Sequence, residues 1–355
     1  YGLSMYKLNS GDTIAVMVEE NSQAESAGIH NGTVIKEWNG IAVDEAMQNV
    51  CCLDYWYQFE VSDNEALMKP IFLAGQGGET ISVTFIADDG STKNVQLNST
   101  GSYKARETAV LNHFYSQNRI SGDNFSCKML NDDVGYLRIT KEHYGDEIYD
   151  IWTYAIGKHK KVYQEIDTKL QELSDKGMKF LVIDLRNNGG GYEQIGDAVA
   201  SLFADRRLTN KTGIERNGNI IPITTFHTFD EGKWKELPIA VLVNDATVSS
   251  GDVLTHLLSQ CPNVTVMGLT ASSNSVQTVG GCCYLSDDMF EVYYPIINSL
   301  DENNEILEVT ADRQAKVGFD LRIPVDYDAA MMIFGDSEKD YEIDYAVDYL
   351  YNQEQ

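Results

Sequence analysis

Nowhere does the chain hold 18 consecutive apolar residues, so no helix of it is suited to crossing a bilayer. Positive charge is also in short supply. Lysine and arginine number 27 against 54 aspartates and glutamates, a formal net charge of −27. A surface this acidic repels nucleic acid and anionic lipid, which sets those partners aside and favours solubility. The six cysteines (Cys51, Cys52, Cys127, Cys261, Cys282 and Cys283) contain no CxxC pair, and no His–Cys spacing suits zinc. No metal site and no cofactor is therefore expected. Vicinal cysteines are poor partners for one another because the ring they would close is strained, so buried free thiols are expected rather than a disulfide framework. No internal repeat is visible, and the chain begins at Tyr1 without a methionine, which suggests a trimmed start.

What is present is ample for packing. Hydrophobic residues make up 43% and aromatics 10% of 355 residues, enough for two folded domains and far from the composition of a disordered chain. The stretch 336–355 carries seven acids and one lysine among Tyr341, Ile343, Tyr345, Val347, Leu350 and Tyr351, the pattern of an acidic amphipathic terminal helix.

Residues 1–98 read as a small β-rich domain. Thr13 to Val18 alternates as a strand, Ala24 to Gly28 is a short helix or turn, and Thr33 to Trp38 is a second strand. Asn39-Gly40 marks a turn, and Asp88-Asp89-Gly90 joins the runs Thr80–Ile86 and Lys93–Leu97 into a hairpin. Residues 99–125 are polar and read as a linker. From 126 to 335 strands alternate with helical patterns, which predicts an α/β core. Val134 to Ile139 opens it, and a long helical pattern runs through Ile148, Ile151, Tyr154, Ala155, Val162, Ile166, Leu170 and Leu173. The continuous apolar run Phe180 to Leu185 is typical of a buried strand, and Ile195, Ala198, Val199 and Leu202 mark the helix after it.

Two strand ends carry chemistry. The first is Arg186-Asn187-Asn188-Gly189-Gly190-Gly191, which runs straight into a helix. A dinucleotide loop would need a third glycine at position 194, which is Gln194, and no basic residue follows closely. Glycines also let backbone N–H groups approach a reacting carbonyl, which is the reading preferred here. The second is Pro238 to Asp252, where an apolar strand ends in a polar turn and Ser249-Ser250-Gly251-Asp252 starts a helix. A serine there sits where N–H groups and the helix dipole favour negative charge, although most serines at helix starts are simply caps.

In order and spacing, the blocks GYLRI, KGMKFLVIDLRNNGGG, PIAVLVNDATVSSGD and SVQ resemble the tail-specific (C-terminal processing) serine peptidases and their tricorn-like relatives, from about Gly135 to Val325. The segment Val317 to Val325 resembles that family's closing strand, with departures. The resemblance implies a ClpP/crotonase-like peptidase core, preceded by a PDZ-like domain in which Gly2-Leu3-Ser4-Met5 is the peptide-binding loop and the aromatic-rich stretch Cys51 to Leu73 an insertion. It implies cleavage of peptides or protein C-termini, with Ser249 as nucleophile and Thr247, Gly251 and Asp252 in the flanking positions of the motif. The implied oxyanion donors are the backbone N–H groups of Ser250 and Gly190, and Gln277 is the residue that orients the base. Members of the family work mostly in the periplasm, cell envelope or outside the cell, so a secreted or envelope protein is expected.

One departure bears on activity. The family's general-base lysine stands four residues before the glutamine, and that position is Ser273 here. A serine hydroxyl does not take a proton at neutral pH as a desolvated lysine does. Tricorn-like members use instead a histidine upstream of the PDZ-like domain. Of the six histidines here, His256 lies two helical turns from Ser249, too far to reach, and His113 falls in the expected linker, where it is able to fold back. His30, His143, His159 and His227 read as ordinary surface or core residues. Three readings stay open: an active serine peptidase, a catalytically silent protein that binds peptide C-termini, and, from the glycine run alone, a small-ligand module. The oligomeric state is not legible.

Overall fold

Short strands separated by Asn-Gly and Asp-Gly turns build the first part of the protein, and long buried strands alternating with helices build the second. The computed structural model describes residues 1–52, 59–114, 124–144, 152, 159–229, 232–285, 290–309, 311–335 and 339–353. Two units result: Tyr1–Arg119 with Ile323–Asp344, and Ile120–Arg322 with Tyr345–Gln355.

In the first unit, β1 (Ser4–Lys7), β2 (Thr13–Val16), β3 (Val34–Trp38), β5 (Ile81–Ile86) and β6 (Thr92–Leu97) pair in that order, all antiparallel, with β4 (Ile41–Ala42) on β3. Asn39 and Gly40 both take positive φ, 54° and 76°, as a two-residue hairpin turn requires. The expected strand from Thr13 to Val18 stops at Val16 because Met17 turns to φ 50°, and its four residues are all buried instead of alternating. Met5, Ile14, Ile35, Met68, Ile71 and Phe85 fill the core.

The stretch 99–125, read from sequence as a linker, contains the helix Lys104–Phe114. Its small apolar residues Ala105 and Ala109, with Val110, are buried, and so is His113, whose ring lies 5.8 Å from that of Tyr6. The polarity of its flanks hid that stripe. His113 is thus a core side chain of this unit. Residues 323–335, read as the end of the α/β core, also group here. Asn9 and Val325 exchange hydrogen bonds of 2.9 and 2.7 Å, and the Phe334 ring packs 4.9 Å from Tyr6. The acidic terminal stretch forms the helix Tyr341–Asn352, with Ile343, Ala346 and Leu350 buried.

The second unit is a mixed α/β fold with two sheets. The larger has the order β16 (Leu321–Arg322), β13 (Val264–Gly268), β12 (Ile239–Leu242), β9 (Phe180–Asp184), β8 (Val134–Ile139) and β7 (Phe125–Met129). It is parallel except at β7–β8. Every residue of β9 and β12 is buried, as expected of strands covered on both faces. Helices Lys160–Ser174, Glu193–Ala200 and Ser250–Ser259 contribute Val162, Ile166, Leu170, Ile195, Ala198, Leu254 and Leu257 to its core. Of the long helical pattern expected before β9, Ile148, Ile151, Tyr154 and Ala155 lie outside the described residues.

The smaller sheet, β11 (Asn219–His227), β10 (Thr209–Arg216), β15 (Phe290–Leu300) and β14 (Gln277–Leu285), is antiparallel. β10 reaches β15 only over Lys211–Gly213, so the rest of β14 and β15 is a two-stranded ribbon exposing Tyr284, Leu285, Phe290 and Tyr293. All six cysteines are free thiols, but only Cys52 and Cys261 are buried; Cys51, Cys282 and Cys283 are exposed, the latter two because they lie on this ribbon. Among the described residues, no helix is long and apolar enough to cross a membrane.

Candidate active site

The site starts from the end of β9. Asp184 is fully buried, and its carboxylate receives the Arg186 Nη2 at 2.8 Å, the Arg138 Nη1 at 3.1 Å and the Tyr136 hydroxyl at 2.7 Å. Burial alone would push this carboxyl up, but Arg186, Arg138 and Tyr136 outweigh it and bring it down to about 2. The strand end is thereby locked to β8, and the chain leaves it with Asn187 at φ 61° and Gly190 and Gly191 at φ 79° and 153°. At Gly191 a side chain is excluded, since a Cβ would lie 2.3 Å from the Glu142 carbonyl oxygen.

At the end of β12, Thr247 Oγ1 donates to the Leu185 carbonyl at 2.8 Å and the Val248 N–H to the Asn188 carbonyl at 2.9 Å, which fastens the turn to the glycine run. Ser249 follows with φ 59° and ψ −127°, a conformation that costs a non-glycine residue of order 1–3 kcal/mol and persists only where surroundings impose it. Its side chain makes no capping hydrogen bond to the helix it precedes. The capping role open to a serine at this position is therefore not taken. Gly190 stands directly against it: a Cβ on Gly190 would lie 2.7 Å from Ser249 Cβ and 3.1 Å from its Oγ.

The helix Ser250–Ser259 begins with Ser250, whose N–H precedes the intrahelical ladder and lies at the positive end of the helix. The Gly190 N–H donates to Asn188 Oδ1 at 2.9 Å, so it reaches another acceptor only when that bond opens. Asn188 is itself oriented by Glu142, whose Oε1 accepts from Asn188 Nδ2 at 2.8 Å and whose Oε2 accepts from Ser250 Oγ at 3.2 Å. Burial pushes Glu142 up to about 7, only partly offset by those two hydrogen bonds. Sequence reasoning passed over Glu142, since nothing in Lys141-Glu142-His143 announces a carboxylate that returns to the turn carrying Ser249.

The opposite wall is the loop Ser272 to Val276. Asp252 receives the N–H groups of Asn274 at 2.9 Å and Ser275 at 3.2 Å, and the Ser275 carbonyl accepts the Ser249 N–H at 2.9 Å. Burial raises Asp252 to about 7 in spite of its hydrogen bonds. Ser273 is buried, and its N–H donates to the Thr247 carbonyl at 3.0 Å. Ser249, Ser250, Gly190 and Ser273 thus converge on one turn. Gln277 follows as the first residue of β14; its side chain lies outside what is described. Gly2, Leu3, Ser4 and Met5 belong to the first unit, where they lead into β1, the terminal strand of its sheet, with Leu3, Ser4 and Met5 buried. Among the described residues, no group of three His, Cys, Asp or Glu side chains converges as a metal cluster would. His256, on the helix that Ser249 precedes, is held below its usual range by burial.

A strained serine between a buried strand and a helix, with a glycine backbone laid against it, is the layout of a serine hydrolase. The chain belongs to peptidase family S41, whose model matches residues 133–309. It is 26% identical over 254 residues to the carboxyl-terminal-processing protease of Picosynechococcus sp., covering 70% of this chain and 47% of the relative. To the chloroplastic carboxyl-terminal-processing peptidase 3 of Arabidopsis thaliana it is 23% identical over 283 residues, covering 76% and 44%. The chain thus spans less than half the length of these two relatives. Among solved structures, mature CPAF superimposes with a TM-score of 0.57 at 14% identity, covering 99% of this chain and 82% of that one, a likeness of fold alone.

Proposed function

We propose that the protein is a serine peptidase of the carboxyl-terminal-processing kind, cleaving peptides or protein C-termini through an acyl-enzyme on Ser249. The observation that carries this reading is the strained, uncapped Ser249 with Gly190 against its side chain. In the reaction, Ser249 Oγ attacks the scissile carbonyl while its proton passes to a general base supplied from outside position 273, and the Ser250 N–H stabilises the oxyanion that forms. The Gly190 N–H joins it when Asn188 Oδ1 releases it. Such a donor is worth about 3 kcal/mol of the barrier in a serine protease. Collapse of the oxyanion breaks the C–N bond, the amine leaves with the proton, and water then hydrolyses the acyl-enzyme. Glu142 acts through Asn188 and Ser250 as a positioning residue. The second unit is read as the ClpP/crotonase-like core. The first is read as a PDZ-like domain that adds an extended peptide end to the edge of β1 near Gly2–Met5. A secreted or envelope location accompanies this reading.

A second reading rests on one residue. Ser273 occupies the lysine position, buried and with its N–H bound to Thr247, so that position offers no proton acceptor. The protein would then hold peptide ends without cutting them. A fluorophosphonate probe applied to the full-length gene product separates the two. Labelling and turnover that Ser249→Ala lowers by roughly 10⁴-fold or more support the peptidase. No adduct at Ser249 overturns it, and activity gained in Ser273→Lys identifies a site that lacks only its base.

A further inference from the structure

The helix Glu193–Ala200 carries carboxylates where it faces the smaller sheet. Glu193 and Asp197 lie one turn apart on one side of the helix, and Ser201 follows one turn later. Two contacts fix where that side looks. Ser299 Oγ lies 3.3 Å from Glu193 Oε1, and the Phe229 N–H donates to Ser201 Oγ at 2.7 Å. On the sheet, Ser299 of β15 stands opposite Thr212 of β10, so both point to the helix, and so does Asn210 two residues earlier. Beyond Asn210, Leu208 bonds Thr228, the neighbour of Phe229. Asp197 on the helix and Asn210 on the strand therefore occupy the middle of the same interlayer space.

Their polar atoms are buried and unmatched. Asp197 is 3% exposed, and among the described residues neither carboxylate oxygen has a hydrogen-bond partner; Asn210 is 1% exposed, and neither end of its amide has one there. Glu193 Oε2 is in the same condition. Buried polar groups without partners are rare, and two neighbouring buried carboxylates without a counter-charge are rarer still. Burial raises both carboxyls, Glu193 to about 7 and Asp197 well above its usual value, with the charge of Glu193 adding to the effect on Asp197. Protonation would remove the charge but not satisfy these atoms, and it does nothing for Asn210.

We propose that this space binds one divalent cation of the calcium type, held by the carboxylates of Glu193 and Asp197 and the amide oxygen of Asn210. The donors are all hard oxygens on side chains from a helix and a strand, which suits calcium and not zinc or copper. Their combined charge of −2 matches one such ion. Ser299 is placed to contribute its hydroxyl, and its oxygen also meets the Val276 carbonyl at 2.7 Å, next to Gln277. The site is separate from the chemistry of Ser249 and does not depend on it.

The test uses the 355-residue chain stripped with chelator, then dialysed against Ca²⁺ in about 0.5 M NaCl to suppress binding to the acidic surface. One Ca²⁺ retained per chain and a rise in melting temperature are expected. Asp197→Asn and Asn210→Leu should each weaken binding by about tenfold or more. No retained ion, or equal binding by the wild type and both variants, overturns the proposal. If the variants do not fold, Tb³⁺ luminescence lifetimes in H₂O and D₂O decide on the wild type alone. Few bound waters support a buried site, and a largely hydrated ion overturns it.

Discussion

Asp184 and Glu142 are equally buried, Asp184 at the end of β9 and Glu142 three residues past β8, yet their carboxyls are shifted in opposite directions. Asp184 has two guanidinium groups beside it and lies at about 2, while the groups that hydrogen-bond Glu142 are neutral and it lies at about 7. Asp252 behaves as Glu142 does. Depth does not decide which way a carboxyl moves; a counter-charge does. The two kinds of carboxylate also have different tasks. Asp184 anchors the strand that throws out the glycine run and stays ionised at all physiological pH. Glu142 and Asp252 fasten the turn around Ser249, and their protonation changes near neutrality.

The largest effect should come from breaking the paired site. Asp184→Ala strands the buried Arg186 and should cost about 3–5 kcal/mol in urea unfolding near neutral pH. A loss no greater than that of a surface pair would break the comparison. The next largest is a pH effect on the unpaired site. Glu142 binds its proton more tightly folded than unfolded, so its contribution is complete below about 4.5 and is lost as pH rises towards about 7. That slope is worth on the order of 3 kcal/mol, and Glu142→Gln should flatten the stability profile over that window.

Asp184 should show the opposite limb. Its folded value is below its unfolded one, so its contribution is present above 3.8 and is lost as pH falls towards about 2. This amounts to roughly 2 kcal/mol, visible in acid unfolding as a slope that Asp184→Asn removes. The smallest effect belongs to a pair that solvent screens. Lys7 and Asp44 meet at 2.8 Å but are 39% and 58% exposed, so Lys7→Ala should change the unfolding free energy by only about 0.5 kcal/mol.

The strand order of the α/β unit was not legible in the sequence, nor was its smaller antiparallel sheet, but β8, β9 and β12 were, because β9 and β12 are uninterrupted apolar runs ending in unusual turns. Ser249 and the glycine run were visible for the same reason: position after a buried strand is a local property. The helix Lys104–Phe114 was missed because three small apolar residues among polar ones make a weak stripe. Glu142 and Asn188 were missed for a deeper reason. Their roles come from a parallel pairing of β8 and β9 that brings residues 46 apart into contact, and no local spacing records that. Asp197 and Asn210 belong to the same class, since only the packing of helix on sheet places them at one level.

The ribbon of β14 and β15 has a consequence for the protein in solution. Tyr284, Leu285, Phe290 and Tyr293 are each more than half exposed on it, and elsewhere a heavy negative charge keeps molecules apart. That repulsion fades towards the isoelectric point near 4.4, where the unpaired carboxyls are most at ease in the fold. Acidification towards that value therefore leaves these bare aromatic strands least guarded against sticking to another molecule, even though it keeps Glu142 and Asp252 protonated in the fold.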